Sequence, residues 1–337
     1  MQGSNRFHGR RRGILAGVGL VVAAAAAVCF PRAALAQPGG WPSKPVRIVV
    51  NFAPGSSPDV LARAVSLPLQ QALGQPVIVE NRAGASGMIG AELVAKAPAD
   101  GHTLLMTSGS TIVINPSIFS KIPYDTSKDL VPVAAVARLA LFLVARPELP
   151  VKNVREFLAY LKAHPGKLSY GSAGSGTSLH LAGEMLKNQA GVFAVHIPYR
   201  GSAPALQDLL AGQIDFYFDP GIGLSQVRAG KLRMLAVAMM RRSSLFPDVP
   251  TLDEAGLKGF DAATTTGFYA PAGTPPEIVT RLNLEINRIL ALPNVTSQLE
   301  AIGAEPTPLT LAQFAGQLRD DSRRFAAIIK ERNIQAE

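Results

Sequence analysis

Short β-branched runs alternate with helical patterns along most of this chain. Val46-Arg47-Ile48-Val49-Val50 has the length and composition of a buried strand, and a turn at Pro54-Gly55-Ser56-Ser57-Pro58 follows it. From Asp59, the apolar residues Val60, Leu61, Ala64, Val65, Leu69 and Leu73 recur at helical spacing until Gly74, which predicts a helix. Val77-Ile78-Val79 predicts a second strand, Ile89 to Ala97 a second helix, and Leu104-Leu105-Met106 a third strand that ends in the polar loop Thr107-Ser108-Gly109-Ser110. Farther along, Val154 to Ala163 reads as an amphipathic helix and Leu168-Ser169-Tyr170 as a strand. The glycine-rich turn Gly171 to Gly176 leads into a helix from Ser178 to Gln189. Ile214 to Phe218 and Leu235 to Ala238 are further strands. Pro-rich loops and a helix from Pro275 to Leu290 follow, with Thr274 and Glu277 spaced as a capping box. Strands separated by helices in this order predict an α/β fold with mainly parallel strands.

One stretch departs from that rhythm. Val131 to Ala145 is apolar throughout except near Arg138, and its extended character suits a chain passing from one lobe to another. Leu235 to Ala238 suits the return. Residues 37–137 and 239–337 are therefore expected to build one lobe and residues 138–238 the other. Paired crossings suit a hinge that closes over a ligand.

The first 36 residues are set apart from this fold. Arg6, Arg10, Arg11 and Arg12 precede an uncharged apolar run from Ile14 to Phe30, and Ala34-Leu35-Ala36 offers small residues at a cleavage site. This three-part signature predicts an export signal removed before Gln37, hence a periplasmic protein. The run is shorter than the roughly 20 residues that cross a bilayer. Arg11-Arg12-Gly13-Ile14-Leu15 also resembles a twin-arginine signal. Val28 before Cys29 is too large for a lipoprotein signal.

Removing that segment changes the charge. It holds five Arg and no acid, so the net charge of +9 falls to about +4. No basic run with interleaved aromatics remains, so no nucleic-acid partner is expected. The single Cys leaves with the segment, which excludes disulfides, thiolate metal sites and cysteine nucleophiles. The histidines His102, His164, His180 and His196 are scattered, and no metal or other cofactor is expected. Nucleophile-elbow, phosphate-loop and dinucleotide motifs are missing, which lowers the expectation of an enzyme.

Two turns share a design: each follows a strand, is rich in Gly and Ser, and opens a helix. They are Pro54 to Asp59 and Gly171 to Thr177. A helix N-terminus attracts anions through free N–H groups and the helix dipole, without Lys or Arg. Either turn alone is read more readily as a capped turn, with Ser57 and Thr177 as caps. Two in different lobes point to a shared carboxylate site. Asp59 and Arg63, four apart, favour a simple helix ion pair. Tyr199 and Arg200, in His196 to Pro204, either line the cleft or form a turn into the helix Ala203 to Leu210. Phe52, Ser108, Ser110 and Asp219 complete the candidate set.

Taken in order, these strings resemble the tripartite tricarboxylate transporter receptors, also called the Bordetella uptake gene product family. The carriers run from Trp41-Pro42-Ser43-Lys44-Pro45-Val46 through Pro54-Gly55, Asp59 and Ala62-Arg63, then Val79 to Ala85 and Ala99 to Leu104. Asn115-Pro116, Tyr170 to Thr177, His180-Leu181, Pro198 to Gly201, Asp248 to Thr251 and Ala270 to Pro275 continue them. The resemblance implies a type II periplasmic binding protein: two α/β lobes, a two-strand hinge and a ligand clamped between them. It implies a small di- or tricarboxylate, amino acid or aromatic acid as ligand, inner-membrane permease subunits as partners, and a monomeric receptor rather than an enzyme. A periplasmic hydrolase or lyase and a sensory receptor are the alternatives. The resemblance places binding at the loops Phe52 to Asp59 and Gly171 to Thr177, and the candidate ligand-binding residues are Phe52, Pro54, Gly55, Ser56, Ser57, Asp59, Ser108, Ser110, Ser172, Ala173, Ser175, Gly176, Thr177, His180, Tyr199, Arg200 and Asp219. The family commonly has a second Gly where this chain has Ser56, so ligand identity is not inherited.

Overall fold

The computed structural model describes residues 40–331 and 333–335, so the export signal expected over residues 1–36 lies outside the described residues. The chain begins with strand β1 (Val46–Val50), helix α1 (Ser57–Leu73), β2 (Val77–Asn81), α2 (Met88–Ala95) and β3 (Thr103–Thr107). Two short helices, α3 (Gly109–Val113) and α4 (Asn115–Ile118), precede β4 (Leu130–Leu139) and β5 (Phe142–Ala145). Next come α5 (Val154–Ala163), β6 (Ser169–Ser172), α6 (Ser178–Ala190), β7 (Val195–Pro198), α7 (Ser202–Leu210), β8 (Phe216–Asp219), α8 (Leu224–Arg228) and β9 (Arg233–Val237). The chain ends with β10 (Thr264–Pro271), α9 (Pro276–Leu290), α10 (Pro293–Ala301), β11 (Ala304–Pro306) and α11 (Leu311–Glu331).

These strands form two sheets. The first has the order β11-β4-β10-β3-β1-β2 and the second β7-β6-β8-β5-β9. β1 lies parallel between β2 and β3, and its Val46, Ile48, Val49 and Val50 are fully buried, as expected of a strand covered on both faces. α1 covers one face with Leu61, Ala62, Val65 and Leu69, and stops where Gly74 takes φ 70°. The second sheet buries Phe157, Tyr170, Phe216 and Phe218 in the other lobe.

The long apolar stretch divides as its physics requires. β4 pairs with β10 and β11 in the first sheet as far as Leu139, whereas β5 pairs with β8 and β9 in the second from Phe142. Ala140 and Leu141 are the outward crossing. The return comes well after β9, because within residues 238–262 only Arg241 to Leu245 reach β11 of the first lobe, and Thr251, Leu252 and Phe260 still pack on the second. Thr251 bridges Val237, and Phe260 stacks on Phe218 with ring centroids 6.2 Å apart. Strand pairing thus sets both crossings later in the chain than the local pattern does.

The pattern leaves β10 among the Pro-rich loops, yet β10 is central to the first sheet and wholly buried. Its Thr264-Thr265-Thr266 opening is polar, and β-branching rather than apolarity suits it to the pleat. Gly267 lets α11 approach, since a Cβ there would meet Ala134 O at 2.6 Å and Phe314 Cζ at 2.8 Å. The expected capping box at α9 does not form. Pro275 takes the cap position without a side-chain bond, and the Thr274 hydroxyl donates instead to Pro271 O at 2.7 Å.

Both crossings are tied to α11. Arg138 of β4 reaches Asp261 and Asp321, at 3.5 and 3.6 Å. Arg324 of α11 pairs with the same two acids at 3.3 and 2.9 Å and donates to the carbonyls of Asp261 and Ala263. Asp321 is almost fully buried, so taking away its nearer partner leaves a poorly compensated charge. Arg324→Ala is expected to lower unfolding stability by about 1–3 kcal/mol in urea titration, whereas Arg323→Ala beside it, on an exposed pair, should change it by less than about 0.5 kcal/mol.

Candidate functional site

The first strand-to-helix loop runs from Phe52 to Asp59. Asp59 organises it: its carboxylate accepts from Gly55 N at 2.8 Å, from Asn81 Nδ2 at 2.9 Å and from Arg63 Nε at 3.1 Å. Burial works against the charged form, but these donors from Arg63, Gly55 and Asn81 hold the carboxyl below its ordinary range. Asp59 is therefore a brace for the loop, ion-paired four residues along as its spacing predicts. Pro54 and Gly55 are exposed at the loop tip, and Ser56 and Ser57 turn inward.

The second loop is braced by histidine. Thr177 caps α6 by accepting from His180 N, and its hydroxyl donates to Gly174 O at 2.7 Å. Gly176 N donates to His180 Nδ1 at 3.1 Å. That N–H is already used, and a Cβ on Gly176 would lie 2.5 Å from Phe119 Cε2. Gly176 is thus packed against the end of α4 and does not line an open cleft. Ser172 Oγ and His196 Nε2 are 2.6 Å apart, the geometry of a nucleophile and base, but neither reaches the cavity and Gly174 N also donates to Ser172 Oγ. His180 is stacked on His196 at 4.3 Å. Its burial, then the neighbouring His196, depresses its pKa to about 3, so His180 is neutral.

The lobes meet over these loops. Ser57 Oγ donates to Pro220 O at 3.3 Å, and Ala53 N to Arg200 O at 3.3 Å. Gly55 faces Ala203. Between the lobes lies a narrow cavity of about 30 Å³, lined by Phe52, Ser56, Ser57, Pro58, Ser108, Ser110, Leu139, Leu141, Ala173, Thr177, Ser178, Leu179, Ser202, Pro220 and Thr264. Eight of these fifteen carry hydroxyls and none carries a charge. α1, α3, α6 and α7 all point their first turns here, through Ser57, Ser110, Ser178 and Ser202. First-turn N–H groups have no partner within their own helix, and the dipoles of the longer helices α1, α6 and α7 place positive potential on one small volume.

Seven of the residues expected from sequence line this cavity: Phe52, Ser56, Ser57, Ser108, Ser110, Ala173 and Thr177. Ser108 and Ser110 do so as the N-cap and first turn of α3 rather than in a loop, with Ser110 N donating to Ser108 Oγ at 3.4 Å. Pro54, Gly55, Asp59, Ser172, Ser175, Gly176 and His180 build the loops behind the wall. Tyr199 is held aside, its hydroxyl donating to Asp208 at 2.6 Å, and Arg200 is exposed and contributes its carbonyl. Asp219 is fully buried and accepts from Gly223 N with both oxygens, shaping the Pro220 turn; burial pushes its pKa up to about 7. Leu139, Leu141 and Thr264 line the cavity from the crossings themselves, and only strand pairing could have found them. Ser178 and Ser202 had a signal, since each opens a helix after a glycine-rich turn.

Comparison with known proteins follows from this geometry. Over residues 61–334 the chain matches the family described as tripartite tricarboxylate transporter family receptor. It is 38% identical to protein BugT of Bordetella pertussis over 94% of this chain and 97% of that protein. Its fold superposes on MatC of Rhodopseudomonas palustris, solved with bound malate, with a TM-score of 0.82 and 33% identity over 86% of this chain and 100% of MatC. A second R. palustris protein, solved with adipate, gives 0.84 and 34% over 88% and 99%.

The two buried titrating groups pull in opposite directions. Asp219 has a raised pKa in the fold, so its contribution is complete below about pH 4 and is lost as pH rises through 7. His180 has a depressed pKa, so its contribution is complete above about pH 6.5 and is lost as pH falls toward 3. In urea unfolding, the stability of Asp219→Asn relative to the unsubstituted protein should be higher at pH 8 than at pH 5, because only the Asp219 contribution is removed. The same difference at both pH values would remove Asp219 as a source of the pH dependence.

Proposed function

This chain belongs to the tripartite tricarboxylate transporter receptor family, and we propose that it is a periplasmic receptor that captures a small carboxylate and presents it to inner-membrane permease subunits. The observation that carries the reading is the composition of the cavity wall. Helix N-termini from both lobes converge on a space with hydroxyls and no charged side chain. An anion gains from that potential, whereas a cation has no carboxylate to meet. MatC with malate and the R. palustris protein with adipate support a di- or tricarboxylate class. No helix among the described residues is long and apolar enough to cross a membrane. The export signal read in residues 1–36 supports a periplasmic location, and we take the receptor to act as a monomer.

Capture is a closure event. In the open form, carboxylate oxygens are solvated. On closure the first turns of α1 and α6 replace that water with N–H groups already in place, so little reorganisation opposes binding. Ligand shifts the lobes toward the closed form only by its differential affinity for it. We take the present arrangement of the lobes as the closed form, whose surface a membrane partner would recognise. In this reading the site binds its ligand and releases it unchanged.

Two measurements test this. A thermal-shift and calorimetric screen of di- and tricarboxylates should find a ligand that, at about 100 times its Kd, adds roughly 2.7 kcal/mol of stability. A full panel without binding, or product formation from a bound acid, would reject capture. Closure itself is tested at Gly221, where a Cβ would lie 1.6 Å from Ile302 O of the facing lobe. Gly221→Ala should keep cooperative unfolding, enlarge the radius in small-angle scattering and weaken the ligand at least tenfold. An unchanged radius and affinity would show that the lobes do not need to meet there.

A further inference from the structure

Two hydroxyls in the cavity are not used by the protein. Ser56 Oγ and Ser202 Oγ are buried, with their residues 0% and 3% exposed, and neither has a hydrogen-bond partner. Buried hydroxyls are normally paired, because an unpaired one gives up hydration for nothing. Their positions make structural explanations fail. Ser56 is the cap residue of α1 but its side chain makes no capping bond, and Ser202 opens α7 behind Gly201, which serves as the cap. Both are wall residues of the same cavity. They come from opposite lobes, and Ser56 packs against the residue that precedes Ser202: a Cβ on Gly201 would lie 2.6 Å from Ser56 Oγ. The pair therefore exists as a pair only when the lobes close.

Resting on the carboxylate reading above, we propose that Ser56 and Ser202 form a neutral polar subsite that selects acids carrying a hydroxyl or oxo oxygen over their unsubstituted counterparts. Each serine can donate and accept, so two of them together satisfy a hydroxyl, and two donors satisfy an oxo group. An ammonium substituent does not fit, because no wall residue is a carboxylate that could offset its desolvation. The subsite completes closure only for a ligand that fills it. An acid without the oxygen leaves both hydroxyls unpaired in the closed form, and discrimination against the missing group arises from that loss.

The test uses succinate, L-malate and L-aspartate as probes, with calorimetry on the exported protein and on Ser56→Ala, Ser202→Ala and the double variant. Malate should bind at least fivefold more tightly than succinate, and aspartate more weakly than either. Each single alanine should weaken malate by roughly 3–10-fold while succinate stays within about twofold, and the double variant should lose the preference. Thermal midpoints without ligand should not fall, since neither hydroxyl bonds the protein. Equal weakening of malate and succinate, a preference that survives in the double variant, or aspartate as the tightest probe would each overturn the subsite while leaving carboxylate capture intact. Failure of all three probes and of the wider carboxylate panel would instead overturn the capture reading, and the subsite with it.

Discussion

On the proposed capture reading, an anion buried without a cation beside it must be met by oriented dipoles, and the strand-to-helix loops of this structure are placed to supply them. N–H groups serve only if their helices are fixed in direction, and each of these helices follows directly from a strand of one of the two sheets. The braces belong to the same design. Asp59 holds Gly55, His180 holds Gly176, and Asp219 holds Gly223, each tying a loop backbone in place from behind the wall. The charged and titratable side chains thus stand one layer away from the cavity, where they set geometry rather than touch a ligand.

Much of this was legible in the sequence because the strand-to-helix loops are local. A β-branched run, a Gly/Ser turn and an amphipathic helix follow one another within about 25 residues, and Phe52 to Ser57 and Ala173 to Thr177 could be picked out from that order alone. What was not legible depends on pairing between distant segments. Nothing near β10 says that its three threonines will lie between β3 and β4. Nothing near Leu139 and Leu141 says that the chain changes sheet between them. The braces were half legible: Asp59–Arg63 follows from spacing, but the use of Gly176 N–H by His180 needs the turn itself.

The two sheets also differ in their connection to the site. The first contributes α1, α3 and both crossing segments, whereas the second contributes α6 and α7 from a compact aromatic core. Several cross-lobe contacts use small groups, among them a serine hydroxyl on a carbonyl and glycines facing Ile302 and Ser56, beside the larger Phe119 and Phe142. Small contacts are broken cheaply, which suits the proposed parting of the lobes.

The tie between the crossings and α11 has a further consequence. Observed affinity is the intrinsic affinity of the closed cleft multiplied by the fraction of molecules able to close. Arg138 and Asp261 mark the two ends of the pivot, and both are fastened to Asp321 and Arg324 near the end of the chain. On the proposed closure, changes in that helix are expected to alter the closing fraction from outside the cavity lining. Descendants of such a protein can therefore adjust how tightly they hold a ligand independently of which ligand they choose.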